Sequence, residues 1–332
     1  MCGVSGFFSK SCDLDVLKNM STELMHRGPD DTGYWLDYNH NVYLAHQRLS
    51  ILDLSNFGKQ PMISISGNYI LSFNGEIYNH LQLRLELQNT YNIQWKGNSD
   101  TETLLACIDY IGLENTLKKL IGMFAFALYD KLNQNIILVR DRMGEKPIYY
   151  GHENKNFIFA SELSALKKFE KFNFEIDQES VSYFINYGYV PSNLSIYKNI
   201  FQVPPGTYLI YSINKNKTNI YKYWELKKII DNNESEVQDR LHIKNEIKSE
   251  LNNSVNLQSL SDVPIGCFLS SGTDSSLIAS ILQSQQSSSI KTFSIGFEDN
   301  NFNEAKNSKK IAKYLGTDHH ELYINEKKML DV

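Results

Sequence analysis

What most constrains this chain is a change in the order of its apolar runs. Up to about Leu209 strands and helices come in blocks, and after about Arg240 they alternate strictly. In the first part Leu44–Leu54, Tyr69–Phe73, Met123–Tyr129, Ile136–Arg140 and Phe157–Ala160 are apolar, β-branched or aromatic runs bounded by Gly, Asn or Asp, which reads as strands. The start, Met1–Phe8, is another short strand-like run. Helical spacing appears in Leu14–Met25, Leu81–Leu87, Thr101–Ile111 and Ser161–Phe169. Such blocks predict an α+β fold with a largely antiparallel sheet.

The second part reads differently. Leu241–Leu260 is a helix, Pro264–Leu269 a strand, Ser275–Gln283 a helix, Thr292–Phe297 a strand, Glu304–Leu315 a helix and Glu321–Ile324 a strand. That alternation predicts an α/β domain built on a doubly wound parallel sheet. Between the two lies Ser212–Glu236, rich in Asn and Lys, an expected exposed hairpin and linker. The expected organisation is therefore a first domain over 1–210, a hairpin and linker over 211–240, and a second domain over 241–332.

Composition narrows the class. A length of 332 residues suits two domains. With 21% charged and 12% aromatic residues the chain is neither disordered nor collagen-like. A net charge of −5 implies no broad basic face, so no nucleic-acid partner is expected. Cys2, Cys12, Cys107 and Cys267 are too sparse for a disulfide framework and lack zinc-site spacing, which predicts a reduced, cytoplasmic chain. No apolar run is long enough for a membrane span and no signal peptide opens the sequence.

Several residues carry possible chemistry. Removal of Met1 would give Cys2 both a thiol nucleophile and a free α-amine able to act as base near neutral pH. Alone, Cys2 reads rather as a small buried hydrophobe, and only partners change that. Asn74-Gly75 could form an oxyanion hole from a side-chain amide and a backbone N–H. Asn-Gly is also the strongest hairpin-turn dipeptide, and by itself it reads as a turn. Arg48, inside an apolar run, needs an anionic partner, either a protein carboxylate or a ligand carboxylate. Ser99 and Glu102 have capping-box spacing, which leaves Asp100 free to hold an ammonium. Nucleophile, oxyanion hole, Arg and Asp together describe a site for glutamine.

Seven motifs in order make the resemblance specific: Met1-Cys2-Gly3, His26-Arg27-Gly28-Pro29-Asp30, His46–Asp53, Phe73–Asn79, Ser99-Asp100-Thr101-Glu102, Gly122–Ala127 and Arg140–Pro147. The first part resembles the class II, N-terminal-nucleophile glutaminase domain of glutamine-hydrolysing asparagine synthetases. The resemblance implies a four-layer αββα sandwich, with Cys2 as nucleophile and Asn74 with the Gly75 amide as oxyanion hole. It also implies glutamine binding by Arg48, by Leu49, Ser50, Ile51 and Leu52, and by Glu76 and Asp100.

In the second part, Leu269-Ser270-Ser271-Gly272-Thr273-Asp274-Ser275 is a polar loop between a strand and a helix, suited to an anion at the helix N-terminus. It lacks the P-loop lysine and the Rossmann glycine pattern. A run of N-capping Ser and Asp explains it equally well. With the flanking alternation it resembles the N-type ATP pyrophosphatase motif, Ser-Gly-Gly-x-Asp-Ser, with Ser271 in place of the first Gly. That resemblance implies that Ser270, Ser271, Gly272 and Ser275 hold the pyrophosphate of ATP, Asp274 sits near Mg²⁺, and Leu269 and Ile295 flank the nucleotide. Adjacent His319 and His320 on a strand point to opposite faces and share no metal.

The family's reaction would then run in two parts. Glutamine is hydrolysed at Cys2 through a thioester, and the ammonia amidates aspartate through an ATP-derived β-aspartyl-AMP. Family members continue beyond residue 332 with a second acidic loop, so the synthetase domain is expected to be truncated here, or completed by a second chain. The alternatives are a glutaminase acting alone and a non-catalytic remnant. A β-lactam synthetase-like enzyme shares the ATP loop but has usually lost the N-terminal Cys. Oligomeric state is not legible.

Overall fold

The computed structural model describes residues 1–232, 239–297 and 303–325. Residues 233–238 of the expected linker and 326–332 of the expected second domain lie outside the described residues. The chain divides into two units, Met1–Glu234 and Ser235–Val332.

The first unit runs β1 (Gly3–Phe8), α1 (Leu14–Thr22), β2 (Asp31–Asp37), β3 (Val42–Arg48), β4 (Met62–Ile63), β5 (Tyr69–Ile77), α2 (His80–Tyr91), α3 (Asp100–Ile111) and α4 (Leu113–Lys119). It continues with β6 (Gly122–Asp130), β7 (Asn135–Arg140), β8 (Tyr149–Glu153), β9 (Asn156–Ala160), α5 (Leu163–Leu166), α6 (Gln178–Tyr187), β10 (Ile200–Gln202), β11 (Thr207–Ser212), β12 (Lys217–Lys222) and α7 (Leu226–Asn232). Two antiparallel six-stranded sheets result, ordered β10-β8-β9-β1-β3-β2 and β12-β11-β7-β6-β5-β4.

Alternation along the strands builds the layers. On the first sheet Phe7, Tyr43 and Ile158 face outward onto Leu17, Met20 and Leu24 of α1 and its flank. Their neighbours Phe8, Val42, Leu44 and Phe157 face inward, against Ala125, Tyr129 and Leu138 of the second sheet. On that sheet Phe73, Phe124 and Phe126 face out onto Leu83, Leu104 and Leu117 of α2, α3 and α4. Both faces of the central strands are buried, which is why they read as unbroken apolar runs. The result is the αββα sandwich that the resemblance implied.

Three expectations are corrected. The strand expected over Leu44–Leu54 stops at Arg48, and residues 49–55 leave the sheet. The cause is Arg48 itself: its guanidinium donates to the carbonyls of Leu52, Asp53 and Ser55, so the chain curls around it. Asn74-Gly75 is not a turn but lies inside β5, paired with Ala125 and Phe124. The backbone of β6 leaves no room for a side chain there, because a Cβ on Gly75 would lie 2.2 Å from the Met123 carbonyl oxygen. The Asn/Lys-rich run is the β11–β12 hairpin, and β11 pairs with β7, so it is built into the second sheet.

The second unit holds α8 (Arg240–Gln258), β13 (Gly266–Phe268), α9 (Thr273–Ser284), β14 (Lys291–Phe297), α10 (Ala305–Leu315) and β15 (Asp318–Ile324). The three strands form a parallel sheet in the order β13-β14-β15. Leu269, Ala279 of α9 and Ala312 of α10 close one face, and α8 packs on α9 through Val255, Ile281 and Leu282. The opposite face carries Phe268, Phe293, Ile295 and Leu322, all exposed. Among the described residues the winding therefore has a helical layer on one face only. No helix among the described residues is long and apolar enough to cross a membrane.

Candidate active site

At one end of the sandwich, β1, β3 and β5 converge on a cleft. Cys2, Arg48, Leu49, Ile51, Leu52, Asn74, Gly75, Glu76 and Asp100 all line it. Ser50 does not: its N–H is held by the Asp30 carboxylate at 2.8 Å, away from the cleft. Sequence positions far apart thus meet because β1 pairs with β3 in one sheet while β5 runs in the sheet facing it.

Cys2 enters from the start of β1. Its thiol donates to the Leu49 carbonyl at 3.6 Å and accepts from the Leu49 N–H at 3.4 Å. Burial pushes the thiol pKa up, partly offset by the Leu49 hydrogen bond, so the group is protonated at neutral pH. It needs a base before it can attack. Arg27 anchors this end, donating to the Cys2 carbonyl at 2.9 Å and pairing with Glu162 at 2.7 Å. Met1 lies in the cleft, its sulfur 3.3 Å from Lys146 Nζ.

The oxyanion geometry follows from the edge of β5. β4 pairs only with Ile70 and Leu71, so the outer edge of β5 is open from Phe73 onward. Alternate residues send their N–H groups to the same edge. That of Phe73 goes to Gln60 Oε1 at 2.7 Å and that of Ile77 to the Asp100 carboxylate at 2.9 Å. The N–H of Gly75 is aimed at the same side, between them, into the cleft. Asn74 is buried, and neither atom of its side-chain amide has a hydrogen-bond partner. A buried orphan amide costs about 1–3 kcal/mol, a cost that a ligand oxygen would remove.

Two charged side chains also reach the cleft, Arg48 and Asp100. Arg48 is buried, its hydrogen bonds go to the neutral carbonyls of Leu52, Asp53 and Ser55, and the nearby Asp53 carboxylate feels its charge. Arg48 lines the cleft, so its guanidinium can also take a ligand carboxylate. Asp100 is buried at the start of α3, and burial raises its pKa to about 6. Such a carboxylate favours a cationic partner. Ser99 caps α3 by accepting the Glu102 N–H at 3.2 Å. The capping box is only half formed, because Glu102 takes the Lys96 and Gly97 N–H groups instead.

Gln60 and Lys146 also line the cleft and were not singled out from sequence. Lys146 arrives on a loop stapled by Asp141, whose carboxylate accepts the N–H groups of Phe124, Met143, Glu145 and Lys146. Arg140 braces the same loop through the carbonyls of Gly144, Lys146 and Val203. The Arg140–Pro147 motif is thus the signal that could have pointed to Lys146.

In the second unit the polar loop joins β13 to α9. No side chain caps α9, whose N-cap is Gly272, so the run of Ser and Asp is not a cap. Ser270 and Ser275 hydroxyls meet at 2.8 Å, and the Ser271 N–H donates to the Glu304 carboxylate at 3.3 Å. That N–H already faces an anionic group. Ser271 avoids the left-handed region, so serine carries no backbone penalty there. Asp274 is exposed in the first turn of α9. The Leu269 side chain is buried under α9 and α10 and offers a nucleotide only backbone, whereas Ile295 is exposed. His319 faces the helices, bonded to Thr292 at 2.9 Å, and His320 stacks on Phe293 on the other face.

Both parts of the chain match known families. Residues 246–332 match the Asparagine synthase family. The chain is 34% identical to an asparagine synthetase [glutamine-hydrolyzing] of Bacillus subtilis, over 98% of this chain and 51% of that protein. It is 32% identical to asparagine synthetase B [glutamine-hydrolyzing] of Escherichia coli, over 100% and 55%. The chain spans about half the length of these two relatives. In fold it is similar to glutamine phosphoribosylpyrophosphate amidotransferase from B. subtilis, with a TM-score of 0.53, 14% identity, and coverage of 99% of this chain and 92% of that one. Residues 1–224 match the Glutamine amidotransferase domain, and the chain belongs to that family.

Proposed function

We propose that the first unit hydrolyses glutamine at Cys2, and that the ammonia serves an ATP-dependent synthesis of asparagine from aspartate. The observation that carries the reading is the meeting of the Cys2 thiol with the orphaned Asn74 amide in one cleft. Removal of Met1 frees the Cys2 amine, which takes the thiol proton as sulfur attacks the side-chain amide carbon of glutamine. The oxyanion forms against Asn74 Nδ2 and the Gly75 N–H. The proton passes to the leaving nitrogen, ammonia departs, and water then cleaves the thioester to glutamate. Arg48 holds the α-carboxylate, and Asp100 with Glu76 holds the α-ammonium.

In the second unit the Ser270–Ser275 loop and the start of α9 suit the pyrophosphate of ATP. Asp274 fits Mg²⁺, since that ion is commonly held by one or two carboxylates plus substrate phosphates, whose charge it offsets. The four cysteines are free, which suits a reducing compartment such as the cytoplasm. Release of glutamate from glutamine, followed by a coupled dehydrogenase, tests the first unit. Aspartate-dependent release of pyrophosphate from ATP tests the second. Glutamate release without any pyrophosphate would favour a glutaminase acting alone.

Asp100→Asn separates binding from stability. Losing the charge is expected to raise the KM for glutamine about 10- to 100-fold. The same change should stabilise the ligand-free chain. Because the folded pKa lies above that of an unfolded Asp, the wild type is unpenalised below about pH 4 and progressively destabilised as pH rises through about 6. The variant should therefore unfold about 1–3 kcal/mol later near pH 8 and match the wild type near pH 4. Denaturant titrations at the two pH values check this.

A further inference from the structure

The edge of β5 that carries the oxyanion groups is unpaired by β4 from Phe73 onward, yet one residue of it is held through both of its backbone polar groups. Gln60 Oε1 accepts the Phe73 N–H at 2.7 Å, and His46 Nε2 lies 2.9 Å from the Phe73 carbonyl. Both side chains are buried, Gln60 at 8% and His46 at 1% exposure. The carbonyl can only accept, so the His46 ring carries its proton on Nε2 and donates. Its Nδ1 is buried with no partner, and burial lowers the ring pKa to about 4, which keeps it neutral. His46 sits on β3 of the facing sheet, so this bond crosses between sheets immediately before Asn74.

Gln60 reaches further. Its amide donates to Thr101 Oγ1 at 3.2 Å, next to Asp100, whose carboxylate accepts the Ile77 N–H at 2.9 Å. The start of α3 is thus tied to β5 on either side of Gly75, at Phe73 through Gln60 and at Ile77 through Asp100. A shift of the Phe73 backbone would move both oxyanion donors. Misplacement by about 1 Å is enough to cost about 100-fold in rate.

Resting on the glutaminase reading above, we propose that Gln60 and His46 are positioning residues that clamp the Phe73 backbone, one on its N–H and one on its carbonyl, and so fix the Asn74 amide and the Gly75 N–H against the reacting carbonyl. Neither touches the reacting atoms. The clamp acts on groups engaged only in the transition state, so its loss should fall on kcat. Gln60→Met and His46→Leu are expected to lower kcat for glutamine hydrolysis about 10- to 100-fold, with KM within about threefold of wild type. His46→Gln, whose amide can donate to the same carbonyl, should recover kcat to within about threefold of wild type. Amide hydrogen exchange at Phe73 reads the clamp without turnover, and should speed up at least about tenfold in Gln60→Met.

A raised KM with unchanged kcat would make Gln60 a substrate contact and overturn the proposal. Equal losses in His46→Leu and His46→Gln would make His46 a packing residue and overturn its part. If His46→Leu fails to fold, Gln60→Met and His46→Gln still decide the matter. Wild-type protein that leaves glutamine untouched, with Phe73 exchange responding as described, would instead strike the glutaminase reading and leave the clamp standing.

Discussion

Cys2→Ala is expected to abolish glutamine hydrolysis, a fall of at least about 1,000-fold, while the protein still folds and still binds glutamine. The thiol lines the cleft together with the orphaned amide of Asn74 and is hydrogen-bonded to the Leu49 backbone. Alanine removes the sulfur and leaves Arg48, Asp100 and the loop around Arg48 in place, so calorimetric titration with glutamine should give a Kd near that of the wild type. Retaining Met1 should be as damaging as removing the thiol. A Met1–Cys2 peptide bond abolishes the free amine proposed as the base, and burial keeps the thiol protonated. Full turnover by Cys2→Ala, or by protein shown by mass spectrometry to keep Met1, would end the assignment.

Asn74→Leu carries the second large effect, and it has two signs. Removing one oxyanion donor is expected to lower kcat about 100- to 1,000-fold with little change in KM, because that bond strengthens only as the carbonyl becomes tetrahedral. Yet the amide is buried with both atoms unpaired in the empty site. An apolar side chain of similar size removes that cost, so the variant should gain about 1–2 kcal/mol in denaturant unfolding. A variant that loses activity and stability together would mean that Asn74 is a structural residue. Here function has kept a polar group where folding alone would not.

Much of this was legible from sequence, for reasons that differ by region. Met123–Tyr129, Ile136–Arg140 and Phe157–Ala160 are central strands with both faces buried, so composition alone marked them. Arg48 stood out because a charge in an apolar run must have a partner, and Asp100 because the Ser99 and Glu102 capping spacing leaves it unused. The end of β3 at Arg48 was not legible, because the loop's hydrogen bonds go to backbone carbonyls that carry no residue signal. Asn74-Gly75 taken alone reads as a turn because dipeptide preference is local, whereas its place in β5 is set by β6 across the sheet. Gln60 and Lys146 were missed because their link to the cleft runs through Phe73 and Asp141, contacts that sequence spacing does not encode.

The double-sided burial of β5 and β6 leaves a problem of bookkeeping in the ladder itself. A strand with one wet face reports a one-residue slip at once, since its apolar set lands in water. β6 cannot do so, as Phe124, Phe126 and Leu128 alternate with the equally buried Ala125, Ala127 and Tyr129. Register must then be read from volume, large toward the helices and mostly small toward the other sheet, and from polar stops such as Asp141, which receives the Phe124 N–H. A slip of one position between β5 and β6 would hardly change the apolar area buried, yet it would turn Asn74 toward the helices. Chains with Ala125 or Ala127 enlarged could therefore mature into soluble, well-packed protein that is silently out of frame at the one dipeptide where frame decides chemistry.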